Sequence, residues 1–194
     1  MANILLINGS THKNGFNSQL LQHIKTIFNE LNQEVKELEW QNIPIFSQDN
    51  DYPPPPSVER VRRDIIASDA LFFITPEYNG FSPGGLKNLI DWLSRSINPK
   101  NSRGESFIHN RITAVTSAAA GGGVAVRHTM EQLLTFIRTQ VVNEHSCGVT
   151  IKEQDWANGT LTITDDEKIG LQRFVQSFLN AVKAKEAERF NPML

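Results

Sequence analysis

The chain has 194 residues and a mass of 21.8 kDa, which suits one well-buried α/β domain and is too short for two ordinary domains. Its 19 basic and 21 acidic residues give a net charge of −2, which provides no broad attraction to nucleic acid or an anionic membrane. No apolar run approaches the roughly 20 residues that span a bilayer, and the N-terminus lacks the basic region and apolar core of a signal peptide. We therefore expect one cytoplasmic domain over residues 1–194.

The first part of the chain alternates short apolar runs with longer segments of helical period. Residues 3–7 are almost continuously apolar, which is typical of a central strand covered on both faces in a parallel sheet. A helix beginning near Phe16 follows, and alternating apolar side chains at residues 35–40 indicate a second strand at a sheet edge. Four prolines at 53–56 favour a stiff extended connector, after which Ser57 is expected to cap the next helix.

The same alternation continues to the end of the chain without internal repeats, so an open parallel sheet is predicted. Asn158 and Gly159 indicate a tight turn between Trp156 and Leu161. A capping box at residues 164–167 predicts the start of the final helix. The remaining predicted elements are a strand at 70–75, a helix after Pro83, a strand at 112–116, a helix at 124–137 and a strand near 140–143.

The loop after the first strand has the composition of an anion site. Residues 9–20 are rich in small and amide-bearing side chains and lead directly into a helix, whose N-terminal N–H groups and dipole attract a phosphate. The loop is not a Walker A motif, because Phe16 stands where the lysine belongs. It is also not a G-x-G-x-x-G motif, because Thr11 and Asn14 occupy the later glycine positions. A polar turn that only caps the helix is the alternative interpretation.

Two further loops lie at the same predicted edge of the sheet, where open α/β folds bind ligands. In the loop after the third strand, Pro76 and Gly80 fix a rigid bend and Tyr78 offers a flat face. The N–H groups of Asn79 and Gly80 can point into the space that Tyr78 borders. The next loop begins at Ser117 and continues with three alanines and three glycines, on which a large ring can lie, although such a run is often only a flexible turn. Together the three loops predict a site for a mononucleotide with an aromatic ring.

These residues resemble the motifs of the NADPH-dependent FMN reductases, which belong to the flavodoxin-like superfamily and include quinone, azo-dye and chromate reductases. Residues 75–95 match the family pattern T-P-E-Y-N-G-x-x-P-G-x-L-K-N-x-I-D-W-x-S-R. The first loop keeps Ser10 and Asn17 of the pattern G-S-x-R-x-x-S-x-N, but His12 replaces the arginine and Gly15 replaces the serine. The resemblance covers most of the chain, from the first strand through the helix after the glycine run.

The resemblance implies a flavodoxin-like, doubly wound α/β sandwich with a five-stranded parallel sheet in the order 2-1-3-4-5 and helices on both faces. It also implies hydride transfer from NADPH or NADH to FMN and two-electron reduction of an acceptor such as a quinone, azo compound, metal oxyanion or free flavin. Family members are similar in holding FMN at these loops, often at a dimer interface, so a homodimer or homotetramer is expected. The implied cofactor-binding residues are Ser10, His12, Gly15, Asn17, Ser18, Pro76, Glu77, Tyr78, Asn79, Gly80, Ser117, Gly121 and Gly122.

No catalytic side chain is expected, because the flavin carries the chemistry and the N–H groups of Asn79 and Gly80 serve as donors near its N5. For Glu77 we expect a structural or nucleotide-orienting role, since a carboxylate beside reduced flavin is repulsive. Histidine offers phosphate one donor and changes charge near neutrality, whereas arginine binds it bidentately at any pH. We therefore expect weaker FMN retention that falls toward alkaline pH, unless Lys13 compensates for His12. If the family arginine also contacts the 2′-phosphate of NADPH, we expect the preference for NADPH over NADH to be relaxed in this chain, which has His12 in its place.

Other interpretations stay open at this point. A non-enzymatic electron carrier of flavodoxin type shares the fold and FMN, but bleaching of bound flavin by NAD(P)H would distinguish a reductase. A receiver-like signalling module needs acidic residues where the chain has Asn8 and Thr75, and a scaffold that binds partners would take up no flavin. A metal site is not expected, because the five histidines show no ligand spacing and Cys147 is the single cysteine.

Overall fold

A parallel sheet of five strands forms the centre of the computed structural model, which describes residues 2–190. The described residues form seven strands in all: β1 (Ile4–Asn8), β2 (Val35–Glu37), β3 (Ala70–Ile74), β4 (Ile112–Thr116), β5 (Ala118–Ala119), β6 (Gln140–Val141) and β7 (Val149–Thr150). The sheet order is β2-β1-β3-β4-β6, and β5 pairs with β7 in a separate two-stranded ladder. The predicted order 2-1-3-4-5 is therefore confirmed, with β6 as the fifth strand because β5 leaves the main sheet.

The helices lie on both faces of this sheet, as the doubly wound prediction requires. They are α1 (Phe16–Glu30), α2 (Pro56–Ile66), α3 (Gly84–Leu93), α4 (Val124–Phe136), α5 (Glu153–Asn158) and α6 (Asp165–Phe190). Apolar side chains of α1 and α6 pack in one hydrophobic cluster, and those of α2, α3 and α4 pack in the other. No helix within residues 2–190 has both the length and the apolar character needed to cross a lipid bilayer.

The three central strands are buried along their whole length, which explains their continuous apolar sequences. Successive side chains of a strand point to opposite faces, so Leu6 and Phe72 join the cluster with α1 and α6, whereas Ile7 and Phe73 join the other. Phe72 makes edge-to-face contacts with Phe28 of α1 at a ring-centroid distance of 5.6 Å. The carboxyl ends of β1, β3 and β4 consequently lie side by side at one edge of the sheet.

Several local predictions need correction. Ser57 does not cap α2, because Pro56 already occupies the first turn of that helix, a position that suits its fixed φ. The segment around Trp156 is helical, and the turn expected at Asn158 and Gly159 is the end of α5, with Gly159 in the left-handed conformation at φ 72°.

The capping box is confirmed: the N–H of Glu167 donates to the hydroxyl of Thr164, whose own N–H donates to the Glu167 carboxylate.

A buried ionic cluster fixes the irregular segment that precedes α2. The carboxylate of Asp51 contacts the guanidinium groups of Arg62 at 2.9 Å and Arg95 at 2.6 Å. Arg62 also donates to the carbonyl of Trp92, and its guanidinium lies 4.4 Å from the centre of the Phe107 ring. Arg95 pairs with Asp51 in this cluster, while Asp91, four residues earlier on the chain, pairs with Lys87 at 2.6 Å.

Candidate cofactor site

The loop after β1 and the first turn of α1, residues 9–18, form what we call the anion cradle. The first α-helical bond of α1 runs from the N–H of Gln19 to the carbonyl of Gly15, so the three preceding N–H groups have no acceptor within the helix. The N-terminal residue, Gly15, provides no side-chain cap, and the first turn carries no acidic residue. This helix end therefore has free donors and a favourable dipole for an anion.

Hydrogen bonds within the cradle hold its loop in shape. The amide oxygen of Asn8 accepts from the N–H of Ser10, and the Ser10 hydroxyl accepts from the N–H of His12. The hydroxyl of Ser18 donates to the carbonyl of His12 at 2.8 Å and accepts from the side-chain amide of Asn8. Of the predicted cofactor ligands, Ser10 and Ser18 thus also organise the loop itself.

The two departures from the family pattern in this loop are structurally coupled. The His12 ring lies against Gly15, and a β-carbon at position 15 would come within 2.9 Å of His12 Nδ1 and 3.1 Å of its Cγ. The first distance is shorter than real β-carbon contacts and the second is unusually tight, so a serine at position 15 would require the exposed His12 ring to move. Glycine at position 15 therefore accompanies histidine at position 12.

Asn17 joins the anion cradle to the loop after β4. Its side-chain amide donates to the carbonyl of Ala118, and its amide oxygen accepts from the Ala118 N–H, both at 2.9 Å. Asn17 is buried, so both of its side-chain polar groups are already used by the protein backbone. Asn17 lies at the cavity, where a cofactor ligand was predicted. Its polar atoms, however, bind Ala118, 101 residues later in the sequence, and so connect two loops.

The loop after β3 forms a tight turn with free donors at its tip. Tyr78 and Phe81 exchange backbone hydrogen bonds of 2.8 and 3.1 Å around Asn79 and Gly80, whose φ angles are 55° and 81°. Positive φ at both central positions defines a type I′ turn, for which Asn-Gly is the preferred sequence. The N–H groups of Asn79 and Gly80 make no hydrogen bond with the part of the chain that the structure describes, so they are available to a ligand.

Glu77 has a structural partner in the same loop. Its carboxylate accepts from the N–H of Val126 at 3.1 Å, in the first turn of α4, where an acidic group is favoured by the helix dipole. The hydroxyl of Thr129 lies 3.5 Å from the carbonyl of Gly80, so the turn also packs against α4. Glu77 thus positions the loop relative to α4, in agreement with the structural role expected for it.

The loop after β4 meets the cavity with its alanines rather than its glycines. Ser117 is fully buried, its hydroxyl has no partner among the described residues, and it lies beneath Gly123, where a β-carbon would approach within 2.3 Å. Gly121 faces open space, while Gly122 adopts a φ of 65°. Ser117, Gly121 and Gly122 are therefore not among the residues that line the cavity, and their contact with a ligand stays a prediction.

The three loops enclose a cavity of about 530 Å³, within the range typical of small-molecule sites. Asn79 and Gly80 lie outside its lining, at the adjacent turn. Ser18 lines a wider neighbouring groove of about 910 Å³ on the other side of the cradle loop. The predicted residues that the structure brings together around the cavity are Ser10, His12, Gly15, Asn17, Pro76, Glu77 and Tyr78.

One apolar wall of the cavity was missed by sequence reasoning. Phe16, Ile151 and Trp156 line it, together with Gly159 and the alanines at 118–120. The rings of Phe16 and Trp156 meet edge to face with centroids 5.0 Å apart. Trp156 was missed because it follows β7 by several residues, in a segment that resembles no family motif. The alanines belong to the run of small residues on which a ring was predicted to lie, although only Ser117, Gly121 and Gly122 of that loop were named as ligands.

The segment that carries Trp156 is held by a buried carboxylate. Asp155 accepts hydrogen bonds from the N–H groups of Lys152 at 2.9 Å and Thr162 at 3.2 Å. The bond from Lys152, followed by the interaction with Thr162, lowers the pKa of this carboxyl group below its ordinary value of 3.8. Within residues 2–190, no group of three or more histidine, cysteine, aspartate or glutamate side chains is arranged to hold a metal ion.

Comparison with known proteins decides the family. Residues 2–154 match the model of the NADPH-dependent FMN reductases. The chain belongs to this family. It is similar to a quinone reductase of Pseudomonas putida, with 30% identity over 95% of this chain and 96% of that protein. It is also similar to an NAD(P)H-dependent FMN reductase of Pseudomonas aeruginosa, with 34% identity over 73% of this chain and 74% of the relative.

A solved structure agrees with the fold of this FMN reductase family member. The flavoenzyme FerB, an NAD(P)H:(acceptor) oxidoreductase from Paracoccus denitrificans, superposes with a TM-score of 0.80 at 24% identity, covering 95% of this chain and 98% of FerB. The flavodoxin-like prediction is therefore confirmed. The comparisons do not favour the electron-carrier interpretation, because the matched family and the similar curated proteins are reductases.

Proposed function

We propose that this chain is an FMN-dependent NAD(P)H oxidoreductase, formed by one domain over residues 1–194, which reduces a small-molecule acceptor of the quinone class in the cytoplasm. The observation that carries the proposal is the cavity enclosed by the three motif loops, with an uncapped helix N-terminus on one side and a turn with free N–H groups beside it. The quinone class is supported by the similarity to quinone reductases.

The residues of the cavity fit the parts of FMN. The N–H groups of the first turn of α1 and the hydroxyl of Ser10 suit the phosphate, and His12 adds a donor at the exposed rim. Pro76 and Tyr78 would offer apolar surface to a planar ring, and the small alanine side chains of the loop after β4 would leave room for it. When bound, FMN supplies hydride and electron transfer at its N5.

The protein contributes orientation and hydrogen-bond donors to this chemistry. The backbone N–H groups of Asn79 and Gly80 are held by the type I′ turn beside the cavity and would stabilise negative charge that develops on a bound flavin. The carboxylate of Glu77 accepts a hydrogen bond from α4 and so holds the turn against this helix. We therefore assign it no role in proton transfer. Side chains that bind and orient are therefore sufficient for the proposed activity, and no nucleophile is required.

A second copy of the chain completes the proposed enzyme as a homodimer or homotetramer. Tyr78 and Phe81 are 56% and 63% exposed at the turn, and Val124, the first residue of the helix against which this turn packs, is also exposed. Large apolar side chains grouped at the surface favour association with another protein surface. A mass measurement by light scattering tests this part of the proposal, and a monomer under all conditions would contradict it.

An anaerobic visible spectrum of the protein with FMN, recorded before and after NADPH and then NADH, tests the activity. We expect loss of the oxidised flavin bands with a nicotinamide donor and their return when benzoquinone is added. Bound flavin that neither donor bleaches would instead favour an electron carrier. Failure of the protein to bind FMN would refute the assignment of the cavity.

The substitution at position 12 gives a second test of the same assignment. His12→Arg introduces a bidentate donor, so we expect tighter FMN binding. His12→Ala should bind FMN more weakly than wild type. Equal FMN dissociation constants for all three proteins would show that position 12 does not contact the phosphate.

A further inference from the structure

We propose that Trp156 is an FMN-contacting residue that covers the phosphate end of the cavity, an inference that rests on the proposed function. Trp156 lines the cavity, yet its side chain is 62% exposed, an unusual degree for an indole without a partner. Its ring meets the ring of Phe16, the first residue of α1, whose N–H belongs to the anion cradle. The indole therefore packs on the side chain of the residue that begins α1 and lines the same cavity as Ser10 and Asn14 of the anion cradle.

The indole N–H distinguishes Trp156 from the other two tryptophans. Trp40 donates from Nε1 to the carbonyl of Asn8, and Trp92 donates to the carbonyl of Pro44, and both side chains are buried. Trp156 Nε1 makes no hydrogen bond within residues 2–190. An amphipathic side chain with an apolar body against Phe16 and an unused donor is suited to a ligand that has both a chain of carbons and a phosphate.

The protein holds this indole in place rather than leaving it on a loose loop. Gln19 of α1 donates from its side chain to the carbonyl of Gly159 and accepts from the N–H of Leu161, both at 2.8 Å. Asp155 caps the N-terminus of the short helix α5, and Gly159 is its C-terminal cap. The segment around Trp156 is thus tied to α1, the helix that begins at the cradle, so it forms a fixed wall of the cavity.

A contact between Trp156 and FMN would strengthen binding in a chain that has His12 instead of the family arginine. Histidine at position 12 offers a single donor at the exposed rim of the cradle. The indole adds apolar contact and a neutral donor whose protonation is independent of pH. We therefore expect truncation of Trp156 to raise the FMN dissociation constant about tenfold.

The test compares FMN binding by wild type, Trp156→Ala and a matched variant, Phe136→Ala. Phe136 is an aromatic residue that is 83% exposed and does not line the cavity. Titrations monitored by flavin fluorescence give the dissociation constants. We expect weaker binding of about tenfold for Trp156→Ala and no change for Phe136→Ala, with similar thermal unfolding of both apoproteins.

A ¹H–¹⁵N spectrum of the indole N–H groups provides a readout that does not depend on activity. The chain has three tryptophans, and Trp156→Phe assigns the signal of Trp156 by its loss. On addition of FMN we expect this signal to move, whereas that of Trp92 serves as a distant, internally bonded reference. Riboflavin, which lacks the phosphate, should move it less.

The outcomes separate the inference from the proposed function. If wild type binds FMN while the Trp156 signal stays in place and Trp156→Ala binds equally well, the inference is wrong and the reductase proposal stands. If wild type does not take up FMN, the reductase proposal fails and this inference fails with it.

Discussion

The bridge from Asn17 to Ala118 makes a quantitative prediction. Substitution of Asn17 by alanine removes two hydrogen bonds of 2.9 Å and leaves the N–H and the carbonyl of Ala118 without their partners in a buried position. A buried polar group that loses its partner costs about 1–3 kcal/mol, so we expect a loss of roughly 2–4 kcal/mol in the free energy of unfolding. For a chain of this size that corresponds to a fall in Tm of about 5–15 °C.

Urea denaturation followed by far-UV circular dichroism measures this loss, with Asn29→Ala as the matched control. Asn29 is an exposed asparagine on the same helix, and surface substitutions of this kind usually change stability by less than about 0.5 kcal/mol. The reasoning would be refuted by equal unfolding free energies for the two variants. The apoprotein is the appropriate sample, because bound FMN would add its own stabilisation.

Further predictions concern groups outside the proposed binding contacts. Arg62→Ala should lower the unfolding free energy by about 3–5 kcal/mol in urea denaturation, since it leaves the buried carboxylate of Asp51 with one partner fewer; a loss below 1 kcal/mol would contradict this. Because the pKa of Asp155 is lowered in the folded protein, its stabilising contribution is complete above the ordinary carboxyl pKa of 3.8 and is lost as the pH falls through the folded value. Asp155→Asn should therefore reduce the acid dependence of unfolding, and an unchanged profile would argue against it. Burial raises the pKa of Cys147 to about 11, so alkylation by iodoacetamide at pH 8 should be much slower than in urea-unfolded protein, whereas equal rates would show an accessible thiolate.

The sheet could be predicted because its signals are local. Strands such as Ala70–Ile74 are short, continuously apolar and separated by segments of helical period, and these features follow directly from burial on both faces. The edge position of β2 was likewise visible in its charged residues. The helix start at Pro56 was misplaced because proline both prevents a helix interior and favours its first turn, and composition alone does not distinguish these effects.

Part of the candidate site could also be predicted, because its motifs are local in the sequence. Motif residues such as Tyr78 and Gly15 lie on loops that end adjacent strands, so topology brings them together. Trp156 reaches the cavity only because Gln19 ties a distant segment to α1, and such a long-range contact leaves no periodicity in the sequence. The burial of Ser117 beneath Gly123 is also a tertiary effect, which a run of small residues does not disclose.

The close packing of the His12 ring on Gly15 constrains how the loop can change through mutation. A serine introduced at position 15 meets the imidazole, whereas an arginine introduced at position 12 removes the ring nitrogen that makes the shortest of these contacts. The order of the two substitutions therefore matters: His12→Arg followed by Gly15→Ser avoids the shortest contact, and the reverse order must first displace the imidazole. The effects of the two substitutions on the stability of the loop should accordingly be non-additive, so that neither position evolves independently of the other.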